Sequence, residues 1–159
     1  MFLGVVIMIN RFERFSTDIM EVFRYWHKIA ADEMEKFGLK GAYCTYFSVL
    51  SRFEAGLTAT QLCELCCKDK ADVSRAVSDL EKKGYIKKET NGSNLYRAKI
   101  CLTEEGNRVA AYVQNRANLA VSLAGDGVSE QDRAIFYSTL EAIVKNLEKI
   151  SSQGLPENE

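Results

Sequence analysis

Residues 57–102 have the sequence LTATQLCELCCKDKADVSRAVSDLEKKGYIKKETNGSNLYRAKICL, which begins with a short helical pattern. Thr58 and Gln61 have the spacing of a capping box, in which each residue satisfies a free backbone N–H of the first helical turn. We therefore predict a helix over residues 59–67.

A second short helix is predicted directly after the first. Asp69 can supply the N-terminal cap, the helical pattern covers residues 71–83, and Gly84 follows as a stop. The apolar face carries Val73, Ala76, Val77 and Leu80, and the polar face carries Asp72, Ser74, Arg75, Ser78, Asp79 and Lys82. This pattern predicts an amphipathic helix whose polar side can form hydrogen bonds with a partner.

The segment ends in a β-hairpin pattern. Two strands are predicted over residues 85–89 and 95–102, and the Asn91-Gly92 pair between them is a strong hairpin signal. Two helices about a short turn followed by such a hairpin form a winged helix-turn-helix, whose second helix enters the major groove of DNA.

Long helical patterns flank this segment. Apolar residues recur every three or four positions over residues 11–37, and a nearly all-apolar helix is predicted over residues 42–53. Two more helices are predicted over residues 104–123 and 130–150. The expected fold is mainly α with a small β-hairpin wing, a winged helix-turn-helix domain plus N- and C-terminal dimerisation helices.

The expected organisation has four parts. They are an N-terminal apolar arm (1–10), a helical dimerisation region (11–37 and 104–151), a winged helix-turn-helix DNA-binding domain (42–103) and a disordered tail (152–159). The single proline, Pro156, lies in that tail, which agrees with a helical interior. The aromatic stripe over residues 11–37 needs a second surface to cover it, which indicates a partner subunit.

Charge separates the predicted DNA-binding segment from the rest of the chain. The net charge of the 159 residues is −1, which excludes a bulk polycation. Residues 68–99 nevertheless hold nine basic side chains against five acidic ones, a net charge of +4, while residues 1–67 and 100–159 are both net negative. The positive charge is thus confined to the segment that the helical and hairpin patterns select for DNA.

Three motifs resemble the MarR family of bacterial transcriptional regulators. They are LTATQLCEL at 57–65, DKADVSRAVSDLEKKGYI at 69–86 and LTEEG at 102–106. The resemblance covers roughly residues 11–151. It implies a homodimer that acts on double-stranded DNA, as a ligand-responsive repressor at a pseudo-palindromic operator.

The resemblance and the local charge together select eight DNA-binding candidates. They are Lys70, Asp72, Ser74, Arg75, Ser78, Lys82, Lys87 and Arg97. Arg75 is the candidate for a bidentate contact to guanine, and Ser74 for a phosphate or a base edge. The wing departs from the family pattern, because Asn94-Leu95-Tyr96 stands where an Asp-x-Arg is common and Arg97 comes one place late.

The resemblance also implies a small phenolic or anionic effector bound between the dimerisation helices and the DNA-binding lobe. Trp26, Tyr43, Tyr46 and Phe47 are the residues we expect to line that pocket. The same aromatic residues at helical spacing are also typical of a core, and the sequence leaves both interpretations open.

Five cysteines without a secretory context indicate reduced thiols. The Cys63-x-x-Cys66-Cys67 spacing fits buried core thiols, a redox sensor or a zinc site, with Cys101 as a further thiolate. We expect core thiols, with no metal and no cofactor. His27 is the single histidine, so a nitrogen-rich metal site is not expected.

No catalytic pattern is found: there is no paired general base, nucleophile elbow or Gly-rich phosphate loop, and an enzyme is not expected.

The first ten residues lack the features of a secretory signal and are too short to span a membrane, so we expect a cytoplasmic protein without membrane contact. Residues 1–10 form an apolar arm, or Met8 is the natural start and residues 1–7 are an artefact of start-codon choice. A winged-helix protein-interaction module remains the alternative to a DNA-binding regulator.

Overall fold

A computed structural model of the chain describes residues 11–90 and 98–156. Its elements in order are α1 (Arg11–Glu35), a 3₁₀ turn (Gly41–Tyr43), α2 (Cys44–Leu50), α3 (Ala59–Cys66), α4 (Lys70–Lys82), β1 (Ile86–Glu89), β2 (Lys99–Leu102), α5 (Glu104–Ala124) and α6 (Glu130–Gln153). The predicted fold class is confirmed: the chain is mostly helical, with one two-stranded antiparallel hairpin.

Some element boundaries differ from the prediction. The first helix ends at Glu35, and the chain turns at Gly38, which has φ +64°. The predicted helix over 42–53 is a 3₁₀ turn followed by the shorter α2. Residues 1–10, the wing tip at 91–97 and residues 157–159 lie outside the described residues, so the predicted arm and the start of the second strand fall there.

Side chains cap the helix-turn-helix as the sequence predicts. Thr58 Oγ1 accepts from the backbone N–H of Gln61 at 3.3 Å, and Gln61 Oε1 accepts from the backbone N–H of Thr58 at 3.0 Å. At α4, Asp69 Oδ1 accepts from the backbone N–H of Asp72 at 2.8 Å. Between the two helices Cys67 adopts the left-handed conformation, with φ 51°. These contacts fix where each of the two helices begins.

The core lies where α2, α3, α4 and the hairpin meet the end of α1 and the first half of α5. Its largest fully buried side chains are Phe47, Met34, Leu62, Leu80, Val73 and Val109. Ile86 pairs with Leu102 across the hairpin, and Leu57 extends this small sheet through two backbone hydrogen bonds with Ile100. The sheet covers one side of the core. This packing holds the base of the wing in place.

The start of α5 is packed closely against the end of the helix-turn-helix. Thr103 Oγ1 donates to Gly84 O at 2.7 Å and accepts from the backbone N–H of Gly106 at 3.1 Å. A Cβ at Gly106 would collide with the backbone carbonyl of Tyr85. This contact explains the Leu-Thr-x-x-Gly motif in physical terms, because only glycine lets the helix approach so closely.

The chain divides into two compact units, one ending at Ala117 and the other beginning at Asn118. In the first unit, residues 13–29 of α1 are exposed apart from the half-buried Ser16, and they include the apolar stripe of Phe15, Ile19, Phe23 and Trp26. In the second unit, α6 buries no side chain at all. Among the described residues no helix combines the length and apolarity needed to cross a membrane.

A charged cluster ties α1 to α5 within the first unit. The Glu33 carboxylate, 13% exposed, accepts from Lys36 Nζ at 2.6 Å, Tyr112 Oη at 2.6 Å and Arg116 Nη2 at 2.9 Å. The hydrogen bond from Arg116, followed by those from Lys36 and Tyr112, lowers the pKa of Glu33 to about 2. The cluster therefore favours the ionised carboxylate and holds the two helices together.

Replacing Glu33 with Gln tests this cluster. We expect the free energy of unfolding to fall by about 1–3 kcal/mol at pH 7, because charge-assisted hydrogen bonds are lost. Glu33 has a pKa of about 2 in the folded protein and about 4.3 in an unfolded chain. The contribution of Glu33 to the free energy of unfolding is thus complete above pH ~5 and is lost as the pH falls towards 2.

Urea denaturation of both proteins between pH 7 and pH 3 measures the effect. The difference between parent and Glu33→Gln should shrink as the pH falls, and an unchanged difference would contradict the assignment. Glu35→Gln, at an exposed position of the same helix, is the matched control and should change stability little at either pH.

Candidate nucleic-acid interface

The buried face of α4 determines which side chains the helix presents to solvent. Val73, Ala76, Val77 and Leu80 are at most 5% exposed, which confirms the predicted inner face. The opposite face carries Lys70, Ser74, Arg75, Ser78 and Lys82 in exposed positions, with Asp72 half-buried. The structure therefore places six of the eight DNA-binding candidates together on one helix.

The basic groups of α4 differ in how they are paired. The Arg75 guanidinium contacts the Asp72 carboxylate, and the side chains are 71% and 47% exposed. Within the described residues, Lys70 and Lys82 have no carboxylate at ion-pair distance. The two lysines are thus available to an external anion without breaking an existing contact.

Two lysines of the wing form ion pairs with carboxylates of the same chain. Lys87 Nζ lies 2.6 Å from Glu89 Oε1, and Lys88 Nζ lies 2.5 Å from Glu81 Oε2 on α4. The Glu89 hydrogen bond raises the pKa of Lys87. Lys87 would have to release Glu89 to reach a phosphate. The eighth candidate, Arg97, lies outside the described residues.

A groove of about 510 Å³ separates α4 from α3 and the hairpin. Ser74, Ser78 and Lys70 line it from α4, and Lys88 lines it from β1. The apolar side chains of Val77 and Ile100 lie among these polar groups. Hydroxyl and ammonium donors thus lie along one concavity beside α4.

Asp79 has a different role from its neighbours on the polar face. Its Oδ2 accepts from Tyr43 Oη at 2.9 Å and lies 3.8 Å from Lys83 Nζ. Burial, followed by the contact with Asp79, raises the pKa of Tyr43 to about 12, so the phenol remains protonated and donates. The sequence does not predict this bond, because helical spacing places Asp79 on the outer face of α4 and says nothing about a contact with Tyr43, which is 36 positions away.

The four aromatic residues predicted to line an effector pocket are in two different environments. Tyr43, Tyr46 and Phe47 are buried, at 5%, 3% and 1% exposure, and Phe47 packs edge-on against Tyr85. Trp26, at 42% exposure, is on the uncovered stripe of α1. The first three side chains therefore serve the core in this structure, and the effector pocket stays a prediction.

The cysteines are divided between core and surface. Cys66 and Cys101 are buried, Cys44 and Cys63 are half-buried, and Cys67 is exposed. Burial, above all, raises the pKa of Cys66 to about 11, which keeps the thiol protonated and unreactive at neutral pH. In residues 11–90 and 98–156, no three His, Cys, Asp or Glu side chains are arranged to hold a metal ion.

Two capped helices about a tight turn, a hairpin beside the second helix and an exposed polar face on that helix define a winged helix-turn-helix protein. Residues 37–94, which contain most of this substructure, match the family model described as MarR family. The resemblance to the MarR family is thereby confirmed.

One relative is likewise of the helix-turn-helix type. The HTH-type transcriptional regulator YybA of Bacillus subtilis (strain 168) is 24% identical over 94 residues, which are 59% of this chain and 63% of that protein. The chain thus spans less than two thirds of the length of YybA.

Two solved structures share the fold at low sequence identity. A MarR family transcriptional regulator from Listeria monocytogenes, in complex with 26mer DNA, has a TM-score of 0.77 at 20% identity, covering 90% of this chain and 97% of its own. The S. aureus MepR–DNA complex has a TM-score of 0.75 at 17% identity, covering 82% and 96%. The likeness therefore extends beyond the winged helix to most of the chain.

Proposed function

We propose that this protein is a sequence-specific DNA-binding transcriptional regulator that acts as a homodimer. The observation that carries the proposal is the exposed face of α4, where Lys70, Ser74, Arg75, Ser78 and Lys82 lie opposite a fully buried apolar face. A helix of this kind beside a hairpin wing has the dimensions and the donors to enter the major groove.

The side chains of this face divide into two kinds of contact. Lys70 and Lys82 have mobile single charges, which suit phosphates and give affinity without sequence preference. Arg75 has a planar fork of donors, which suits O6 and N7 of guanine. Ser74 and Ser78 line the protein groove beside α4 and can donate short hydrogen bonds to phosphates or base edges.

The relatives support DNA as the partner. The proteins from Listeria monocytogenes and S. aureus were solved with DNA, and both share this fold over more than four fifths of the present chain. The net charge of +4 over residues 68–99 supplies the electrostatic attraction that such binding needs.

A homodimer accounts for the uncovered apolar faces. Phe15, Ile19, Phe23 and Trp26 on α1 are 41–64% exposed, and Ile135, Phe136, Val144 and Leu147 on α6 are 49–58% exposed. Stripes of this size are unusual on a monomer and are typical of a subunit interface. A two-fold axis would present two copies of α4 to successive turns of DNA, so the operator would be pseudo-palindromic.

Ligand-responsive repression is the form of regulation we propose. A dimer bound across two half-sites occupies the duplex and excludes other proteins from it. A phenolic or anionic effector would act by changing how the two copies of α4 are presented. Trp26 is the aromatic candidate that lies outside the core of the single chain, so a ligand bound at the subunit interface would contact it without opening the core.

Arg75→Ala and Lys82→Ala separate base reading from phosphate binding. The duplex recovered by selection from a random pool of double-stranded DNA and a scrambled duplex serve as probes. Arg75→Ala should cost ~1–3 kcal/mol on the selected duplex and much less on the scrambled one. Lys82→Ala should weaken both similarly and reduce the slope of log affinity against log salt by about one.

Binding isotherms at several salt concentrations provide the measurement. Equal losses on both duplexes for Arg75→Ala would contradict its base-reading role. If the parent protein binds no duplex in preference to another, the protein-interaction module becomes the better interpretation of the fold.

Sedimentation equilibrium tests the homodimer. The parent should be dimeric at micromolar concentration, and Phe23→Glu on the apolar stripe of α1 should shift it towards monomer, because a charge would be buried in the interface. Lys28→Glu, on the opposite side of α1, is the matched control and should remain dimeric. A monomeric parent would refute the dimer.

A further inference from the structure

Asp72 is one of three acidic residues of α4, and the other two, Asp79 and Glu81, contact Tyr43 and Lys88 outside the helix. Asp72 lies about one turn before Arg75 on α4, and its side chain is 47% exposed. A carboxylate at this place repels phosphate groups and lowers the affinity for any duplex. The helix dipole favours an acidic residue in the first turn of α4, but the N-cap Asp69 already places a carboxylate at this end of the helix.

The backbone of Asp72 is fixed before any partner arrives. Asp69 Oδ1 accepts from the Asp72 N–H at 2.8 Å, and this bond seats Asp72 at the start of the helix. One turn later, Arg75 Nη2 donates to Asp72 Oδ1. The Arg75 side chain is long, flexible and 71% exposed. The contact with Asp72 restricts its guanidinium to one position.

The contact leaves most of the guanidinium free. An arginine has five N–H donors in one plane, and Asp72 uses one of them through Nη2. The remaining donors can still form the bidentate pair that guanine O6 and N7 accept. Because the carboxylate restricts rotation of the side chain, less conformational freedom is lost when that pair forms.

We propose that Asp72 is a specificity-determining residue that positions Arg75 for guanine. The inference rests on the proposed DNA-binding function and deepens it. Asp72 acts twice: it orients the guanidinium towards the base edge, and it repels the phosphates with which a freely rotating Arg75 would pair. Both effects raise the ratio of specific to non-specific affinity, although the carboxylate itself touches no DNA.

Asp72→Asn should change the affinities for the two duplexes in opposite directions. Affinity for a scrambled duplex should rise roughly two- to five-fold, because one repulsive charge is removed. The ratio of selected to scrambled affinity should fall about ten-fold, because a neutral amide holds the Arg75 guanidinium more weakly than a carboxylate does. Asn at position 72 keeps the volume of the side chain and leaves the Asp69 cap unchanged, so the thermal unfolding midpoint should change little.

The experiment uses the full-length chain, fluorescence anisotropy and two labelled duplexes, one recovered by selection from a random pool and one scrambled. Asp72→Asn is measured in the parent and in the Arg75→Ala background. Glu64→Gln removes one exposed carboxylate from α3 without touching Arg75 and is the matched control. It should leave the affinity ratio unchanged.

If Asp72 acts through Arg75, Asp72→Asn should lower the affinity ratio in the parent and have no effect on it in the Arg75→Ala background. An equal fall in both backgrounds would show that Asp72 reads a base itself and would overturn the positioning role. An unchanged ratio for Asp72→Asn, with Arg75→Ala still lowering it, would overturn the inference and leave the DNA-binding function standing. A parent that fails to discriminate the two duplexes would refute the proposed function itself.

Discussion

Burial of Val73, Val77 and Leu80 fixes the rotation of α4 about its own axis. The candidate nucleic-acid interface depends on that constraint. Turning the helix would expose these side chains, at a cost of roughly 1.5–3 kcal/mol for each large one. The helix has no freedom to present another side to a partner. Lys70, Ser74 and Arg75 are therefore displayed because the core requires their opposite face.

The same core determines how the neighbouring elements are attached. Thr103 and Gly106 bring α5 against the end of the helix-turn-helix, and the Glu33 cluster joins α1 to α5. Changes along α1 or the start of α5 would thus reach the winged helix through packed contacts and hydrogen bonds. Within the first unit, the proposed effector or partner subunit would act on α4 through these contacts.

Local patterns made the helix-turn-helix predictable. Thr58 and Gln61, Asp69 and the spacing of Val73, Val77 and Leu80 are short-range signals, and the structure confirms each of them. Contacts between residues far apart in the sequence were not predictable in this way. The Tyr43–Asp79 bond and the Glu33 cluster join residues 36 and up to 83 positions apart, so no periodicity reveals them. Tyr43, Tyr46 and Phe47 show the limit most clearly, since helical spacing alone does not separate a core residue from a pocket residue.

Protection of guanine N7 from methylation tests most directly that α4 enters the major groove with Arg75 at a base edge. On the selected duplex the parent should protect guanines in two half-sites about one helical turn, 10–10.5 bp, or a multiple of it apart. Arg75→Ala, examined at a concentration that still saturates the DNA, should lose that protection. Equal methylation of free and bound DNA by the parent would contradict the account.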